Sequence, residues 1–276
     1  MKKIEELTNR FICGDSMEVM KTIPSDSTNL IITSPPYFGC RVYGNETVGR
    51  EQDPLAYVEK FMEFSPEIKR ILHLEGSFYL NVGDVYFGTK GFGRVKGKFM
   101  RKTHEHYKEH EPAKEDGKYL QNKQLLLIPP RMAIRMQEEG WILRNQIIWQ
   151  KPNACPNVAK DRKMPVYEYI YHFVKSRKYY YDYEASKQLG HYKDIVNCKI
   201  EPFGEHEATF PESLIDPFIQ ISSKKGDVVL DPFGGWGTVA LVADRLERQY
   251  ISIEINKKFC EGAEERLSQD KLEWLM

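Results

Sequence analysis

Two turns of the chain carry residues that could do chemistry together. The first is a glycine-rich turn at 231–238, with the sequence D-P-F-G-G-W-G-T, which follows an apolar run at 227–230 and opens onto an amphipathic segment at 239–246. A strand that runs into a glycine-rich turn and then a helix is typical of sites for the polar end of nucleotide-like cofactors. The glycine spacing differs from the G-x-G-x-x-G of dinucleotide enzymes, which disfavours an NAD-dependent dehydrogenase.

The glycine-rich turn suits a ligand that carries a cationic group and a ribose. Gly235 and Gly237 can adopt backbone angles closed to other residues and let a ligand approach the main chain. Asp231 offers a carboxylate, which suits an ammonium group better than a phosphate. Glu254 ends the next apolar run, at a position typical of residues that hold ribose hydroxyls. An amino acid joined to a ribose indicates S-adenosylmethionine; the alternative is a turn whose glycines serve packing alone.

The second turn is T-S-P-P-Y at 33–37, near the other end of the chain. Pro35 and Pro36 make a rigid exit from a strand, which can aim the Ser34 hydroxyl and nearby carbonyls at one point. Acceptors beside the flat face of Tyr37 suit a planar group with an exocyclic amine, such as a nucleobase. The alternative is a structural turn with a packed tyrosine.

Alternating strands and helices are predicted to position these turns. The predicted strands are 10–13, 29–33, 76–82, 141–149, 167–174, 227–230 and 249–255. The predicted helices are 16–22, 57–74 with a kink or restart at Pro66, 128–139, 210–221, 239–246 and 257–267. This alternation indicates an α/β fold with a parallel sheet and ligands at its carboxyl edge. Because the chain starts on a strand and finishes on a helix, we expect a permuted sheet whose chain ends lie close together.

Composition limits the class of protein. With 276 residues, 41% of them hydrophobic and 12% aromatic, the chain has enough apolar material for one large domain. Its 40 basic and 40 acidic residues argue against binding to nucleic acid by bulk charge alone. Five scattered cysteines without a C-x-x-C pair indicate a reducing compartment and no structural zinc. No signal peptide or membrane-length apolar run is found, so we expect a soluble cytoplasmic protein.

The segment 85–122 breaks the pattern. It contains basic residues among glycines, with no acidic residue until Glu105: Lys90, Arg94, Lys96, Lys98, Arg101 and Lys102. Such a run is either a solvated loop or an arm that contacts a phosphate backbone. His104, His106 and His110 follow, and we expect a surface loop with no metal.

Taken together, the two turns resemble motifs of the amino-group DNA methyltransferases, which act on cytosine N4 or adenine N6. The order matches the permuted members, in which the catalytic motif precedes the cofactor motif. Other stretches agree: the segment 73–84 resembles the next core strand, 149–153 and 168–170 with Lys175 resemble the lining of the base pocket, and 206–211 resembles a short cofactor motif.

The resemblance implies a fold and a division of the chain. The fold is a doubly wound, mostly parallel seven-stranded sheet of the S-adenosylmethionine-dependent methyltransferase type, circularly permuted. Residues 1–276 would form a single methyltransferase domain, with 85–122 as a charged insertion and 183–205 as a short candidate target-recognition segment.

The resemblance also implies roles for individual residues. The catalytic residues that bind the target base would be Ser34, Pro35, Pro36 and Tyr37. The cofactor-binding residues would be Asp231, Phe233, Gly235, Gly237 and Thr238 at the methionine end, Glu254 at the ribose, Asp15 at the adenine amine, and Phe210 and Thr33 in the same pocket. The resemblance does not cover the segment 85–122, and its basic run independently predicts DNA contacts at Lys90, Arg94, Lys96, Lys98, Arg101 and Lys102. Lys151, in the stretch that resembles the base-pocket lining, is a further predicted DNA contact.

The implied reaction is methyl transfer from S-adenosylmethionine to the N4 amine of a cytosine flipped out of duplex DNA, which leaves S-adenosylhomocysteine. A serine at the first catalytic position mostly accompanies cytosine-N4 transfer in this family. Adenine-N6 transfer and a catalytically inactive nucleic-acid-binding protein remain alternatives. A cysteine-nucleophile route has no support, because Cys155-Pro156 reverses the order of a Pro-Cys turn. The expected partners are double-stranded DNA and, acting separately, a cognate restriction endonuclease, with no membrane.

Overall fold

The computed structural model describes residues 3–39, 48, 49, 51, 53–87, 116–154, 156, 159–201 and 210–275, with the backbone alone for 273–275. The six basic residues predicted to contact DNA between Lys90 and Lys102 lie outside the described residues, as do His104, His106 and His110.

Eight strands and eight α-helices make up the described fold. The strands are β1 (Arg10–Cys13), β2 (Thr28–Thr33), β3 (Leu72–Val82), β4 (Ile142–Gln150), β5 (Tyr167–Val174), β6 (Ile195–Asn197), β7 (Val228–Asp231) and β8 (Gln249–Glu254). The helices are α1 (Ser16–Thr22), α2 (Pro54–Met62), α3 (Ser65–Ile71), α4 (Ile128–Glu138), α5 (Tyr183–Gln188), α6 (Glu212–Ser222), α7 (Thr238–Arg245) and α8 (Lys257–Leu275).

The strands form one sheet in the order β1-β8-β7-β2-β3-β5-β4-β6. Among the strands described, β5 alone runs opposite to the others, because it pairs antiparallel with both β3 and β4. The predicted α/β fold with a mostly parallel sheet is confirmed. The first and last strands of the chain are neighbours in the sheet, with Arg10 opposite Ile251, as expected for the permuted arrangement.

Two apolar layers cover the two faces of the sheet. Side chains alternate along β2, so that Ile31 joins the layer containing Phe61 of α2, while Leu30 and Ile32 join the layer containing Leu241 of α7. This period of two follows from the pleat of a strand that is buried on both faces. The sheet is thereby held rigid, and its carboxyl edge is free to carry a site.

Local signals set where the helices begin. The Asp53 side chain accepts hydrogen bonds from the Leu55 and Ala56 amides at the start of α2, and Pro54 occupies its first turn. Ser65 begins α3 with Pro66 in its first turn, so the predicted restart at Pro66 is confirmed.

Several elements differ from the prediction. The predicted helix 57–74 ends at Ile71, because Leu72 already pairs with Thr28 and starts β3. The helix predicted to begin at Phe210 begins at Glu212, after Pro211. The sheet has eight strands where seven were predicted; the additional strand, β6, pairs with β4 and lies within the candidate recognition segment 183–205.

The described ends of the predicted insertion 85–122 pack against the fold. Tyr86 pairs with Leu125 in an isolated bridge, and Phe87 and Leu120 are buried in the core. No helix in the described part of the chain is long and apolar enough to cross a membrane. Nor do the described residues contain a group of three or more His, Cys, Asp or Glu side chains that could hold a metal ion.

Candidate active site

One cavity of about 550 Å³ opens at the carboxyl edge of the sheet and joins the two turns found in the sequence. The tips of β2 and β7 are adjacent there, because these strands are neighbours and run in the same direction. We call the wall made by Asp15, Phe210, residues 231–238 and Glu254 the glycine-turn end, and the wall made by residues 34–37 with Asn81, Trp149, Lys151 and Glu168 the SPPY end. Except for Gly237, all these residues line the cavity.

At the glycine-turn end, Asp231 is a buried carboxyl with hydrogen-bond donors on one oxygen. Its side chain is almost fully buried, and its Oδ1 accepts from Thr33 Oγ1 at 2.6 Å and from the Phe233 amide at 3.0 Å. Burial raises the pKa of Asp231 to about 7, against the lowering effect of the hydrogen bonds from Thr33 and Phe233. No salt bridge to Asp231 occurs within the described residues. A ligand cation would therefore stabilise the ionised form.

The glycine-rich backbone is fixed by the second carboxylate of this end. The Gly235 amide donates to Glu254 Oε2 at 2.9 Å, and the Asn256 amide donates to Oε1 at 2.8 Å. Gly235 has a φ of +51°, and a Cβ built there would meet no atom within 4 Å, so its backbone faces open space. Burial raises the pKa of Glu254 above its ordinary value.

Gly237 and Thr33 support the glycine-turn end from behind. A Cβ on Gly237 would lie 2.6 Å from the ring of Phe11 on β1, so this glycine permits close packing between the turn and the sheet. Thr33 is fully buried and reaches the cavity through its bond to Asp231. The structure thus places these two predicted cofactor residues next to the cavity wall, whereas the other predicted cofactor residues line it.

Two more predicted cofactor residues enter the wall from helix starts. Asp15 caps α1 by accepting from the Glu18 amide at 3.0 Å, and Ser16 Oγ donates to the Pro232 carbonyl at 2.5 Å. The latter bond ties the start of α1 to the glycine-rich turn. Phe210 stands two residues before α6.

At the SPPY end, the turn after β2 is held by tyrosine hydroxyls. Tyr57 of α2 donates to the Pro36 carbonyl at 2.9 Å. The Tyr37 hydroxyl lies 2.7 Å from Asn81 Oδ1 and 2.8 Å from Glu168 Oε2, so its hydrogen is directed to β3 or β5. Burial and the adjacent Glu168 carboxylate raise the pKa of Tyr37 well above 10, which keeps the phenol protonated as a donor.

Glu168 connects Tyr37 to Lys151. Lys151 Nζ donates to Glu168 Oε1, and the same ammonium lies 4.1 Å from the centroid of the Trp149 ring. The side chains of Lys151 and Glu168 are 13% and 17% exposed. Lys151, predicted to contact DNA, is therefore placed in the cavity wall as part of an ion pair.

Gly83 and Asn81 are site residues to which sequence reasoning assigned no role, and Glu168 was predicted only as part of a stretch that resembles the lining of the base pocket. A Cβ on Gly83 would lie 2.6 Å from Cε2 of Tyr37, so the ring needs a glycine at this position. Two sequence signals pointed to this region: a glycine, Gly83, directly after β3, and the stretch 168–170, which resembles the base-pocket lining of the methyltransferase family. Neither signal says that Asn81 and Glu168 share one hydroxyl, because that follows from the pairing of β3 with β5.

The two ends are joined through consecutive residues of one strand tip. Thr33 bonds Asp231 across 198 positions of sequence, and the next residue, Ser34, begins the SPPY end. Any ligand held on Asp231 is therefore close to any group held on Ser34. This arrangement suits transfer of a group from one bound molecule to another.

Comparison with known proteins gives consistent matches over nearly the whole chain. The family described as N6_N4_Mtase, DNA methylase, matches residues 28–265. The type II methyltransferase M.Cfr9I of Citrobacter freundii is 40% identical over 263 residues, which cover 92% of this chain and 86% of that protein. M.SmaI of Serratia marcescens is 34% identical over 268 residues, covering 94% and 90%.

Solved structures agree in fold. A PvuII DNA methyltransferase, described as cytosine-N4-specific, superposes with a TM-score of 0.71 at 22% identity and covers 94% of this chain and 90% of its own. A Thermus thermophilus protein described as a DNA modification methylase, in complex with S-adenosyl-L-methionine, gives 0.67 at 24% identity and covers 95% of each. S-adenosylmethionine, expected from the sequence, is the methyl donor of this class. The chain belongs to the type II DNA methyltransferases of the N4/N6 amino-group family.

Proposed function

We propose that this enzyme transfers a methyl group to the N4 amine of cytosine in duplex DNA. The observation that carries the proposal is the single cavity in which the Asp231 carboxyl and Ser34 stand at adjacent strand tips, linked through Thr33. The serine at the first position of the S-P-P-Y turn favours cytosine over adenine, as the family resemblance implies.

The glycine-turn end has the chemistry to hold S-adenosylmethionine. Asp231 would bind the ammonium group, Thr238 and the backbone at Gly235 the rest of the amino acid, Glu254 the ribose hydroxyls, and Asp15 the adenine amine. Two carboxylates that lack an ion-pair partner among the described residues fit a cationic, hydroxyl-rich ligand. When bound, this cofactor supplies an electrophilic sulfonium methyl group.

The SPPY end would receive the target base. An amine in a base pair cannot reach a methyl donor, so the cytosine must leave the helix, at a cost of a few kcal/mol. The Ser34 hydroxyl and the Pro35 carbonyl would accept the two amine hydrogens. This draws the nitrogen toward tetrahedral geometry and stabilises the positive charge that develops on it. Tyr37 presents its ring because its hydroxyl is held by Asn81 and Glu168.

Alignment then provides much of the rate. Asp231 ends β7 and Ser34 directly follows the last residue of the neighbouring parallel strand β2, so the sheet keeps the two residues close. Direct in-line displacement needs the reacting atoms within about 3–3.5 Å, and preorganised strand tips suit that requirement. No covalent enzyme intermediate is needed.

Nucleoside mass spectrometry tests the proposal. DNA is incubated with the enzyme and methyl-labelled S-adenosylmethionine, digested, and analysed for both methylated bases. We expect label in N4-methylcytosine and only trace label with the matched variant Ser34→Ala. Label in N6-methyladenine alone would contradict the choice of base, and cofactor binding without labelled DNA would favour an inactive binding protein.

We further propose that residues Lys90 to Lys102 contact the DNA backbone. Each phosphate contact adds to the salt dependence of binding. Lys96→Gln with Lys98→Gln should flatten the plot of log affinity against log salt. The control is Lys224→Gln with Lys225→Gln. These two exposed lysines precede β7 and therefore lie at the edge of the sheet opposite the cavity. Equal slopes for both double variants would contradict this assignment.

A companion endonuclease would explain why such methylation is useful to a cell. The relatives are type II methyltransferases, and we propose that this enzyme protects DNA from a restriction endonuclease that acts separately. Plasmid DNA from cells that express the enzyme should resist an endonuclease whose site contains the methylated cytosine. Full cleavage at every methylated site would contradict protection.

A further inference from the structure

The C-terminal helix α8 presents one face to the glycine-rich turn. Phe259, Gly262, Ala263 and Arg266 have the i, i+3, i+4, i+7 spacing of a single helix face. The Phe259 ring lies 5.6 Å from the Trp236 ring between centroids. A Cβ on Gly262 would overlap the Trp236 ring, so the helix approaches the turn as closely as a glycine allows.

Arg266 connects this face to polar atoms of the turn. Its Nη1 donates to the Trp236 carbonyl at 3.2 Å and to Thr238 Oγ1 at 3.0 Å, and its Nη2 donates to Glu212 Oε1 at 2.5 Å. The side chain is only 12% exposed. Glu212 begins α6, two residues after Phe210. One guanidinium thus holds the glycine-rich turn and the start of the helix that follows Phe210.

The direction of these hydrogen bonds has a chemical consequence. A guanidinium only donates, so Thr238 Oγ1 is the acceptor in its bond to Arg266. The hydroxyl hydrogen of Thr238 must then point along another direction, and Thr238 lines the cavity. A hydroxyl that accepts from a guanidinium in this way is available to donate to an anionic ligand group in the cavity. The anionic group of S-adenosylmethionine is its α-carboxylate.

We propose that Arg266 is a positioning residue for the amino acid end of the cofactor, acting through Thr238 and the Trp236 carbonyl. The inference rests on the proposed placement of the cofactor at the glycine-turn end. Arg266 does not touch the ligand; it sets the conformation of the turn and the orientation of the hydroxyl that does.

The chain offers a matched control in Arg245. This residue also binds Glu212, and its Nε donates to both oxygens of Asp270 on α8 at 2.9 and 2.8 Å. Its hydrogen bonds to these two carboxylates do not involve the glycine-rich turn. Removing Arg245 therefore breaks the same ion-pair network while leaving the turn contacts of Arg266 in place.

The test compares two ligands that differ in the amino acid. S-adenosylhomocysteine carries the amino and carboxyl groups, and 5′-methylthioadenosine lacks both. By calorimetry, Arg266→Gln should weaken S-adenosylhomocysteine binding about tenfold or more, as expected for a hydrogen bond to a charged group. It should change binding of 5′-methylthioadenosine less than about twofold. Arg245→Gln should leave both affinities within about twofold of the wild type.

Thr238→Val provides a second readout if Arg266→Gln does not fold. It leaves the ion-pair network intact and should show the same selective loss of S-adenosylhomocysteine. In the double variant the two losses should be less than additive, because both act on one hydroxyl. Equal weakening of both ligands by Arg266→Gln, an equal effect of Arg245→Gln, or normal binding by Thr238→Val would each overturn the inference. Failure of the wild-type enzyme to bind S-adenosylhomocysteine would instead overturn the placement of the cofactor.

Discussion

The glycine-turn end and the SPPY end share one cavity, but they are built from different kinds of structure. At the glycine-turn end, a continuous stretch of backbone at 231–238 and the carboxylate of Glu254 form most of the wall. At the SPPY end, side chains from β3, β4 and β5 surround the turn after β2, and Glu168 joins them by hydrogen bonds to Tyr37 and Lys151.

The two ends of the cavity also differ in charge. Glu168 is paired with Lys151, whereas Asp231 and Glu254 have no salt bridge in the described part of the chain. A balanced wall suits a neutral base, since it adds no net charge beside the reacting amine. An unbalanced carboxylate wall suits a ligand that brings its own positive charge. This difference in charge supports the proposal that the cofactor binds at the glycine-turn end and the target base at the SPPY end.

The largest effect should come from the first residue of the SPPY end. Ser34→Ala removes an acceptor that is aimed at the developing charge, and one such group is worth about a hundredfold in turnover. Single-turnover kinetics should show this loss while the affinity for S-adenosylhomocysteine stays within about twofold. Equal losses of turnover and cofactor affinity would remove the division between the ends.

A smaller effect, on binding rather than turnover, should follow at Asp231. Its pKa of about 7 means that the free enzyme is mostly protonated at pH 6, while an ammonium ligand requires the ionised form. S-adenosylhomocysteine should therefore bind about tenfold more weakly at pH 6 than at pH 8. Asp231→Asn should weaken binding at pH 8 by at least that factor and abolish the pH dependence. A wild-type affinity that is constant over this range would contradict the assignment.

The raised pKa of Asp231 also predicts how the stability of the ligand-free protein changes with pH: stability should fall as pH rises, whereas ligand affinity should increase. A carboxyl whose pKa is raised on folding, here to about 7, contributes stability that is fully present below its unfolded value, about 3.9. This stability is lost as pH rises to about 7. The wild-type melting temperature should decline over this range relative to that of Asp231→Asn, and saturating S-adenosylhomocysteine should reduce the difference. Parallel melting curves would count against the burial argument.

The hydroxyl network at the SPPY end should give about a tenfold effect on turnover. Tyr37→Phe and Glu168→Gln each weaken the contact that fixes the Tyr37 ring. Because both act on one hydrogen bond, the double variant should lose less than the sum of the single free-energy changes. The measurement is a double-mutant cycle on single-turnover rates, with Lys21→Gln, exposed on α1, as the surface control. Strict additivity would show that Glu168 does not act through Tyr37.

The smallest effects are expected from alanine substitutions at two glycines that each lie against an aromatic ring. Gly83→Ala would press on Tyr37, and Gly262→Ala would press on Trp236. Neither glycine has a positive φ, so the backbone tolerates alanine and the effect comes from the ring. We expect a loss of about fivefold in turnover alone for Gly83→Ala and in cofactor affinity alone for Gly262→Ala. Identical profiles would argue against two separate ends.

The two ends of the cavity also differ in how much of their structure the sequence alone could predict. At the glycine-turn end, the strand, the turn, the helix and the next strand were predicted, because a strand, glycines with free backbone angles and a second strand-ending acid are local signals. The cofactor roles of its residues stay predictions. Gly237 and Thr33 could not be placed from sequence, since their roles depend on Phe11 and Asp231, each more than 190 positions away. The ion pair of Lys151 with Glu168 could not be predicted from sequence, because it follows from the pairing of β4 with β5. The predicted contact of Lys151 with DNA stays a prediction.

The fold shows the same limit. Long periodic elements such as β5 and α4 were predicted nearly to the residue. The strand β6 was missed because three residues, Ile195–Asn197, are too few to show a period of two. The predicted helix 57–74 ran past its end, since Leu72 and Leu74 continue an apolar spacing that pairing with β2 converts into a strand.

A structure of the enzyme with bound S-adenosylhomocysteine is the decisive test of how the two ends divide the cavity. We expect the ammonium group on Asp231, the ribose on Glu254, and the sulfur facing Ser34 and the ring of Tyr37. A ligand bound outside this cavity, or a sulfur directed away from the S-P-P-Y turn, would contradict it.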